Sequence, residues 1–440
     1  MAGLTGLVGW VKLPAMKTIS RWSVGLVMAL AAWLPVTRGA DEPKLDPQAR
    51  KVVEAVAAHL RGLQGVRVNV TLTQLMQADE QKQERVTTYA LTGQRPNKLR
   101  LVLGGVMALT VLSDGKQAYT VVPSLQKYTV DEAPASWEAV LADNGVGMMA
   151  GGPGYRILKD LLSGDPAKEL LSGVTNLTYV GTEELAGVKC HRLQFVQAEG
   201  KLDAWIVDGA QPWVRQVEFD LSEVVARLRA QRPEVKEAKA SLTVSLADWA
   251  ENPAWKDDSF VFQAPEGVVL AETLFPDTPS AEHAKLLGQP APSFKLKQLD
   301  GTEIEVGAGK EKGVVVLDFW ATWCGPCRVG LPILSEVVGG YKAGEVKFYA
   351  VNEEESAAAV QTFLTKSGLK LNVLLDADGK VGALYNVNGI PQTVLIGPNG
   401  TVQAIHVGVA PDLKRRLRKQ LDTLVAGQAL VAPPAAGKAD

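Results

Sequence analysis

Cysteine is scarce in this chain: there are three in 440 residues, Cys190, Cys324 and Cys327. That is too few to staple a fold with disulfides. Histidine is nearly as rare, at His59, His191, His283 and His406. None of these makes a second close pair near Cys324 and Cys327, so the four ligands of a structural zinc site are not in view and no metal is expected. No cofactor is expected either. Positive charge is not in excess. Lys and Arg number 46 against 48 Asp and Glu, a net charge of −2, so nucleic acid is not suggested as a partner. No internal repeat stands out. What remains is an ordinary globular composition, 46% hydrophobic and 21% charged. The length suggests about three domains.

The first 40 residues differ from the rest. The apolar run Ser23–Val36 is too short to span a bilayer comfortably. Lys12, Lys17 and Arg21 precede it, and the small residues Gly39 and Ala40 follow. This order predicts a signal peptide over 1–40. Met16 is an alternative start. Arg38 would sit awkwardly at −3 for cleavage after Ala40, so cleavage after Gly39 is the other option, and an uncleaved anchor is the rival reading. No cysteine follows the apolar run, which argues against a lipoprotein anchor. Export implies a periplasmic or otherwise extracytoplasmic protein in an oxidising compartment, where disulfides persist.

Residues 46–64 carry apolar side chains at helical spacing, with Val52, Val53, Val56, Ala57 and Leu60 on one stripe. From Val66 to about Val130 the period becomes two, and Asp114-Gly115 between apolar runs marks a hairpin. Residues 134–172 read as helix and loop. Strands resume from about 175, and the segment closes with Phe260-Val261-Phe262 and Ala264-Pro265-Glu266-Gly267. A long antiparallel series with helices inserted midway predicts a curved sheet packed on helices over 41–270. The stretches Arg95–Leu101, Ser113–Pro123, Gly187–Phe195 and Phe260–Gly267 carry a resemblance to an exported family with the periplasmic lipoprotein-carrier fold. The resemblance implies an α+β antiparallel half-barrel with helices, whose apolar concavity holds a lipid, a lipoprotein or another hydrophobic partner. The plainer alternative is a concavity filled by its own core.

A polar linker is expected over 271–286, and a second domain over 287–425. Its apolar run Gly313–Trp320 reads as a buried strand. Trp323-Cys324-Gly325-Pro326-Cys327 follows at the start of a helix. Two cysteines placed this way lie within bridging distance, and the first is aimed at the positive end of the helix dipole. The chemistry implied is reversible thiol–disulfide exchange. Further on, strand and helix patterns alternate and end in a hairpin and a helix, which predicts an α/β domain with a mixed sheet.

This domain resembles the thioredoxin superfamily, in particular its exported TlpA/ResA-like branch. The matching stretches are LLGQPAPSF, VVVLDFWATWCGPC, Leu331-Pro332, FYAVNEEES, LLDADGKV and Gly389–Thr393, in the family's order. The resemblance implies a thioredoxin fold in which Cys324 attacks and Cys327, one turn inside the helix and more buried, resolves the mixed disulfide. Gly325 and Pro326 shape the turn, since proline is tolerated in a helix's first turn. Trp323 shields one side of the sulfur, and Ile390-Pro391 forms a cis-proline loop facing the cysteines and offering backbone groups to substrate. Asp318 is implied as a buried carboxylate exchanging a proton with Cys327. A partnering lysine has no counterpart, since Ala350 occupies its place.

The implied activity is an exported thiol–disulfide oxidoreductase reducing protein disulfides and recharged by a membrane thiol–disulfide electron carrier. The alternative is a periplasmic carrier or binding protein for a hydrophobic or lipidated partner, with the thioredoxin domain as accessory. A peroxidase of the peroxiredoxin type shares the Ala291-Pro292-Ser293-Phe294 opening, but the W-C-G-P-C context argues against it. Cys190 and His191 alternate across a strand and make no catalytic pair; Cys190 is expected as a buried small side chain. The basic run Lys414–Lys419 is expected as a solvated helix face, and 426–440 as a disordered tail.

Overall fold

The computed structural model describes residues 43–432, apart from 106–107, 143, 151, 198–199, 233–234, 257 and 276–279. The expected signal segment and the last residues of the expected tail lie outside the described residues. No described helix is long and apolar enough to cross a membrane.

The N-terminal half is built on one 13-stranded sheet. Helix α1 (Pro47–Gly62) opens it. The Asp46 side chain accepts from Gln48 N and Ala49 N, and Pro47 sits where its missing N–H costs nothing. Its buried stripe is Ala49, Val53, Val56, Ala57 and Leu60. Strands β2 (Gly65–Ala78), β3 (Gln81–Gln94), β4 (Lys98–Gly104), β5 (Leu109–Ser113), β6 (Gln117–Val122) and β7 (Lys127–Glu132) then follow as a meander. Between β5 and β6, the Asp114 carboxylate accepts from Lys116 N and Gln117 N, and Gly115 takes a φ of 98°. The sheet is completed by β8 (Val174–Leu185), β9 (Val188–Gln197), β10 (Gly200–Val207), β11 (Val214–Phe219) and β12 (Ala238–Glu251), with β12 closing against β2.

The purely antiparallel expectation needs correction. Two short strands, β1 (Lys44–Leu45) beside β8 and β13 (Val269–Leu270) beside β7, pair parallel at the two ends of the sheet. They arrive from the chain entry and from a long crossing segment rather than through hairpins, so direction is free, and each blunts an exposed edge. The sheet is therefore mixed overall.

One face of this sheet meets α1 and the short helices α2 (Trp137–Ala142), α3 (Asn144–Ala150), α4 (Gly152–Leu161) and α5 (Pro166–Leu170). Val66, Val68, Val70, Leu91, Leu99 and Leu101 point into this core with Val53, Trp137, Leu158 and Leu161, all nearly fully buried. Period-two alternation supplies the sheet's side of the core and the helical stripes supply the rest. Helix α6 (Ser222–Gln231) lies against β12.

The segment expected as a polar linker is packed over much of its described length. Leu274 is buried in the N-terminal core, Ser280 caps the short helix α7 (Ala281–Leu286), and His283 of that helix is buried with Nε2 3.0 Å from Asn386 O.

The C-terminal half is a seven-stranded sheet. Its members are β14 (Phe294–Gln298), β15 (Glu303–Val306), β16 (Val314–Trp320), β17 (Val346–Glu353), β18 (Val373–Asp376), β19 (Gln392–Ile396) and β20 (Val402–Val407), in the order β15-β14-β18-β17-β16-β19-β20. Strands β16, β17 and β18 run parallel; β19 is antiparallel to β16. Every residue of β16 is buried because both faces are covered. Val314, Val316 and Trp320 face α8 (Gly325–Gly339), α9 (Ala357–Ser367) and α11 (Leu413–Val425). Val315, Leu317 and Phe319 face Phe294 and Tyr385, which follows α10 (Lys380–Leu384).

The basic run on α11 is solvated only in part, at Arg418 and Lys419. Arg416 is 9% exposed and ion-pairs with Asp412, and Lys414 reaches Glu336 at 2.7 Å. Arg415 reaches Asp131 of β7 at 3.2 Å and the Glu272 carbonyl, Lys419 pairs with Glu272, and the Thr273 hydroxyl donates to Asp412. Helix periodicity could not show the pairs of Arg415 and Lys419, because Asp131 and Glu272 lie outside this domain. The start of the expected tail is also held: Leu430 packs on the core, and Leu430 N and Val431 N donate to Gln403 Oε1.

Candidate active site

Strand β16 delivers the chain to a three-residue loop, Ala321-Thr322-Trp323, and α8 begins immediately after Cys324. Cys324 is the helix cap: Cys327 N donates to its sulfur at 3.1 Å. The two cysteines are joined as a disulfide, with Cα atoms 5.3 Å apart. Pro326 lies in the first turn, where no intrahelical bond is lost. Pro332 is accommodated inside α8, which runs unbroken to Gly339.

Burial separates the two cysteines less than the sequence suggests: Cys324 is 3% exposed and Cys327 fully buried. Their surroundings differ more. Cys324 Sγ lies 3.7 Å from the Ile390 carbonyl oxygen. The Ile390–Pro391 peptide is cis, and Pro391 O accepts from Gly408 N at 2.8 Å. Trp323, the residue before Cys324, is 71% exposed.

The loop before Cys324 is held by groups that motif reading did not single out. Glu355 accepts from Thr322 N at 2.6 Å and from the Thr322 hydroxyl at 2.5 Å. Asn352 Nδ2 donates to the same carboxylate at 2.9 Å. Arg328 Nε donates to Thr322 O at 2.8 Å, and its guanidinium lies 5.7 Å from the Phe363 ring centroid. Arg328 adds positive charge beside a helix N-terminus, and both favour a thiolate on the capping cysteine. The segment Phe348–Ser356 was visible as a family stretch, but nothing local says that Glu355 folds back 33 residues to Thr322.

Asp318 is fully buried on the face of β16 that also meets α8 and Cys327. Its strand partners are Ala350 and Thr393. The Thr393 hydroxyl donates to Oδ1 at 2.7 Å, and Oδ2 is buried without a partner. Burial pushes this carboxyl up to about 7, against the smaller opposing effect of the Thr393 bond. Glu353 is raised to about 7 as well, by burial and then by the charges of Asp376 and Glu354. It sits among residues of the opposite face, against Gly382, away from the cysteines. Cys190 is buried on β9, as expected. Among the described residues, no group of three or more His, Cys, Asp or Glu is placed to hold a metal.

Residues 49–273 match the family described as predicted periplasmic protein (DUF2092), and residues 287–405 match the AhpC/TSA family. Over 121 residues the chain is 39% identical to thiol-disulfide oxidoreductase ResA of Bacillus subtilis, covering 28% of this chain and 67% of that protein. The Geobacillus kaustophilus ResA is 35% identical over 150 residues, covering 34% of this chain and 86% of the relative. The chain belongs to the ResA-type thiol–disulfide oxidoreductases, with a DUF2092 N-terminal half. A solved structure of a secreted Mycobacterium tuberculosis disulfide oxidoreductase is 27% identical, with a TM-score of 0.26, covering 33% of this chain and all of that one. The oxidoreductase therefore has a thioredoxin-like C-terminal domain, is extracytoplasmic, and takes disulfide-containing proteins as its substrate class.

Proposed function

We propose that the protein works as a reductant through Cys324 and Cys327. In the reduced state, the Cys324 thiolate attacks one sulfur of a substrate disulfide. An S–S bond forms to Cys324, and one substrate thiolate leaves. The Cys327 thiolate then attacks Cys324, forming the intramolecular disulfide and releasing the second substrate sulfur. The substrate gains two electrons and two protons, and the enzyme is left oxidised. A membrane thiol–disulfide carrier returns the two electrons. Asp318 takes the Cys327 proton in the second step; a carboxyl with a pKa near 7 is suited to both accept and return it. Trp323, Pro326 and the Ile390-Pro391 backbone hold the extended substrate chain.

The observation that carries this reading is the bonded cysteine pair at the start of α8, with Ile390 O 3.7 Å from Cys324 Sγ. Reduction of a protein disulfide by the wild type and by Cys324→Ser tests it. Activity falls to background in the variant, and Cys327→Ser accumulates mixed disulfides with its substrates. Unchanged turnover in Cys324→Ser would sink the assignment.

The N-terminal half, with its large mixed sheet, would recruit substrates to this site. A carrier role for a lipid or lipoprotein needs an apolar space, yet the inner sheet face meets buried Val53, Trp137, Leu158 and Leu161. Such a partner would have to displace these helices. Solvent extraction of the natively purified protein followed by mass spectrometry decides it, bound lipid favouring the carrier role and its absence opposing it.

A further inference from the structure

The outer face of the N-terminal sheet carries a second built site. Arg67, Thr92 and Arg100 are Cα partners across β2, β3 and β4. They form a row on the face opposite Val66, Leu91 and Leu99, whose side chains fill the core. The row continues through Leu112 of β5 and Tyr119 of β6.

After β12 the chain crosses this row on its way to β13 at the far edge of the sheet. This strap is anchored by aromatic rings. Trp255 lies so close to Gly65 that a Cβ there would come within 2.5 Å of the ring, and it packs 5.3 Å from Phe260. Phe262 stacks on Tyr119 with centroids 4.0 Å apart. The apolar end of the row is closed: Leu112 is buried although it takes no part in the core under the helices.

At the arginine end, strap and sheet border a half-open cavity of about 550 Å³ lined by Arg67, Thr92, Arg100, Trp255 and Lys256. Arg100 Nη2 donates to Val261 O at 3.3 Å, while Arg100 Nε is buried with no acceptor. Asp258 is the acid in the lining, and among the described residues no ion pair engages either arginine or Lys256. Among the described residues the lining holds Arg67, Arg100 and Lys256 against the carboxylate of Asp258, with Arg67 and Lys256 open to solvent. Guanidinium forks match the oxygens of a phosphate, which offers more of them than a monocarboxylate does.

We propose that this cavity binds a phosphate monoester or free phosphate dianion, with Arg67 and Arg100 as the anion ligands and Trp255 as an apolar wall for whatever carries the group. The two sources are free phosphate and the headgroup of a phosphatidic-acid-like lipid. The site is in the other half of the chain from the cysteines and does not depend on the redox reading.

Titration calorimetry on the full chain, at constant ionic strength set with chloride, tests this with three probes: inorganic phosphate, dihexanoyl phosphatidic acid and acetate. Saturable binding of phosphate or the lipid, weakened about tenfold or more in Arg67→Gln and in Arg100→Gln, supports the site. Much tighter binding of the lipid names the headgroup as the source; equal affinity names free phosphate. Arg67 is exposed, so its variant folds even if Arg100→Gln does not, and disulfide reduction stays at the wild-type rate. Saturation by neither phosphate probe, unchanged affinity in Arg67→Gln, or equal binding of acetate would overturn the proposal.

Discussion

The Thr393 hydroxyl donates to Asp318 Oδ1 at 2.7 Å where β19 and β16 pair directly, and Asp318 Oδ2 is left buried without a partner. Across the other pairing, Asp318 meets Ala350, which brings neither charge nor donor. A half-satisfied carboxyl in an apolar layer holds its proton to about 7. The consequences reach both stability and chemistry.

Below the ordinary carboxyl range, Asp318 is protonated in folded and unfolded chains alike. Between the ordinary value of 3.8 and about 7 the folded state keeps a proton that the unfolded state has lost. Stability therefore falls as pH rises through this window and levels off above it. Asp318→Asn keeps the Thr393 bond and removes the effect. The oxidised variant should match the wild type near pH 4 and exceed it at pH 8, by at most on the order of 4 kcal/mol. Urea unfolding of both proteins across pH measures the difference directly, and the difference cancels the similar contribution of Glu353.

Glu355 is expected to govern the order of the active-site loop. Replacing it with alanine takes the acceptor from Thr322 N and the Thr322 hydroxyl and leaves Asn352 Nδ2 with Trp320 O. The expected cost is about 1–3 kcal/mol in unfolding free energy. Glu355→Gln should recover part of it, since an amide oxygen can still accept. Loop disorder would also lower the rate of disulfide reduction, which a stopped-flow comparison of the two variants would read.

Trp323 is expected to matter for substrate and not for the fold. Because most of its surface is exposed, Trp323→Ala should change stability by less than about 0.5 kcal/mol. KM for a protein disulfide should rise several-fold while a small disulfide is reduced at the wild-type rate. Equal losses with both substrates would count against a docking role.

Arg415 and Asp131 join the two halves of the chain at 3.2 Å, with Arg415 24% and Asp131 39% exposed in their side chains. A partly exposed pair of this kind contributes no more than about 1 kcal/mol. Asp131→Arg and Arg415→Asp should each lower the melting temperature at low salt, and the double exchange should restore part of the loss. In about 1 M salt, where the screening length is near 3 Å, the coupling should vanish.

Reading the sequence went furthest where chemistry and local pattern coincide. Cys324, Pro326 and Cys327 declare a helix start by their own residue types, and Gly313–Trp320 declares a buried strand. Ile390-Pro391 was legible only with the neighbouring stretches in order. Glu355, Arg328 and the aromatic strap over Arg67 and Arg100 were not legible. Each acts on a partner that is distant in sequence or on a neighbouring element, and their residue types are common on any surface. The ion pairs of the basic run on α11 were not legible for the same reason: Asp131 and Glu272, which meet Arg415 and Lys419, belong to another part of the chain.

The sequence by itself determined the exchange chemistry, because two sulfurs three residues apart at a helix N-terminus are brought together by local backbone geometry alone. It also determined the alternation that gives the N-terminal sheet its inner and outer faces. Only the tertiary structure decided how Cys324 is framed, how Asp318 is half-satisfied, and that β12 leads into a strap over Arg67 and Arg100. These depend on strand order and on side chains meeting across long loops, and no local spacing encodes them.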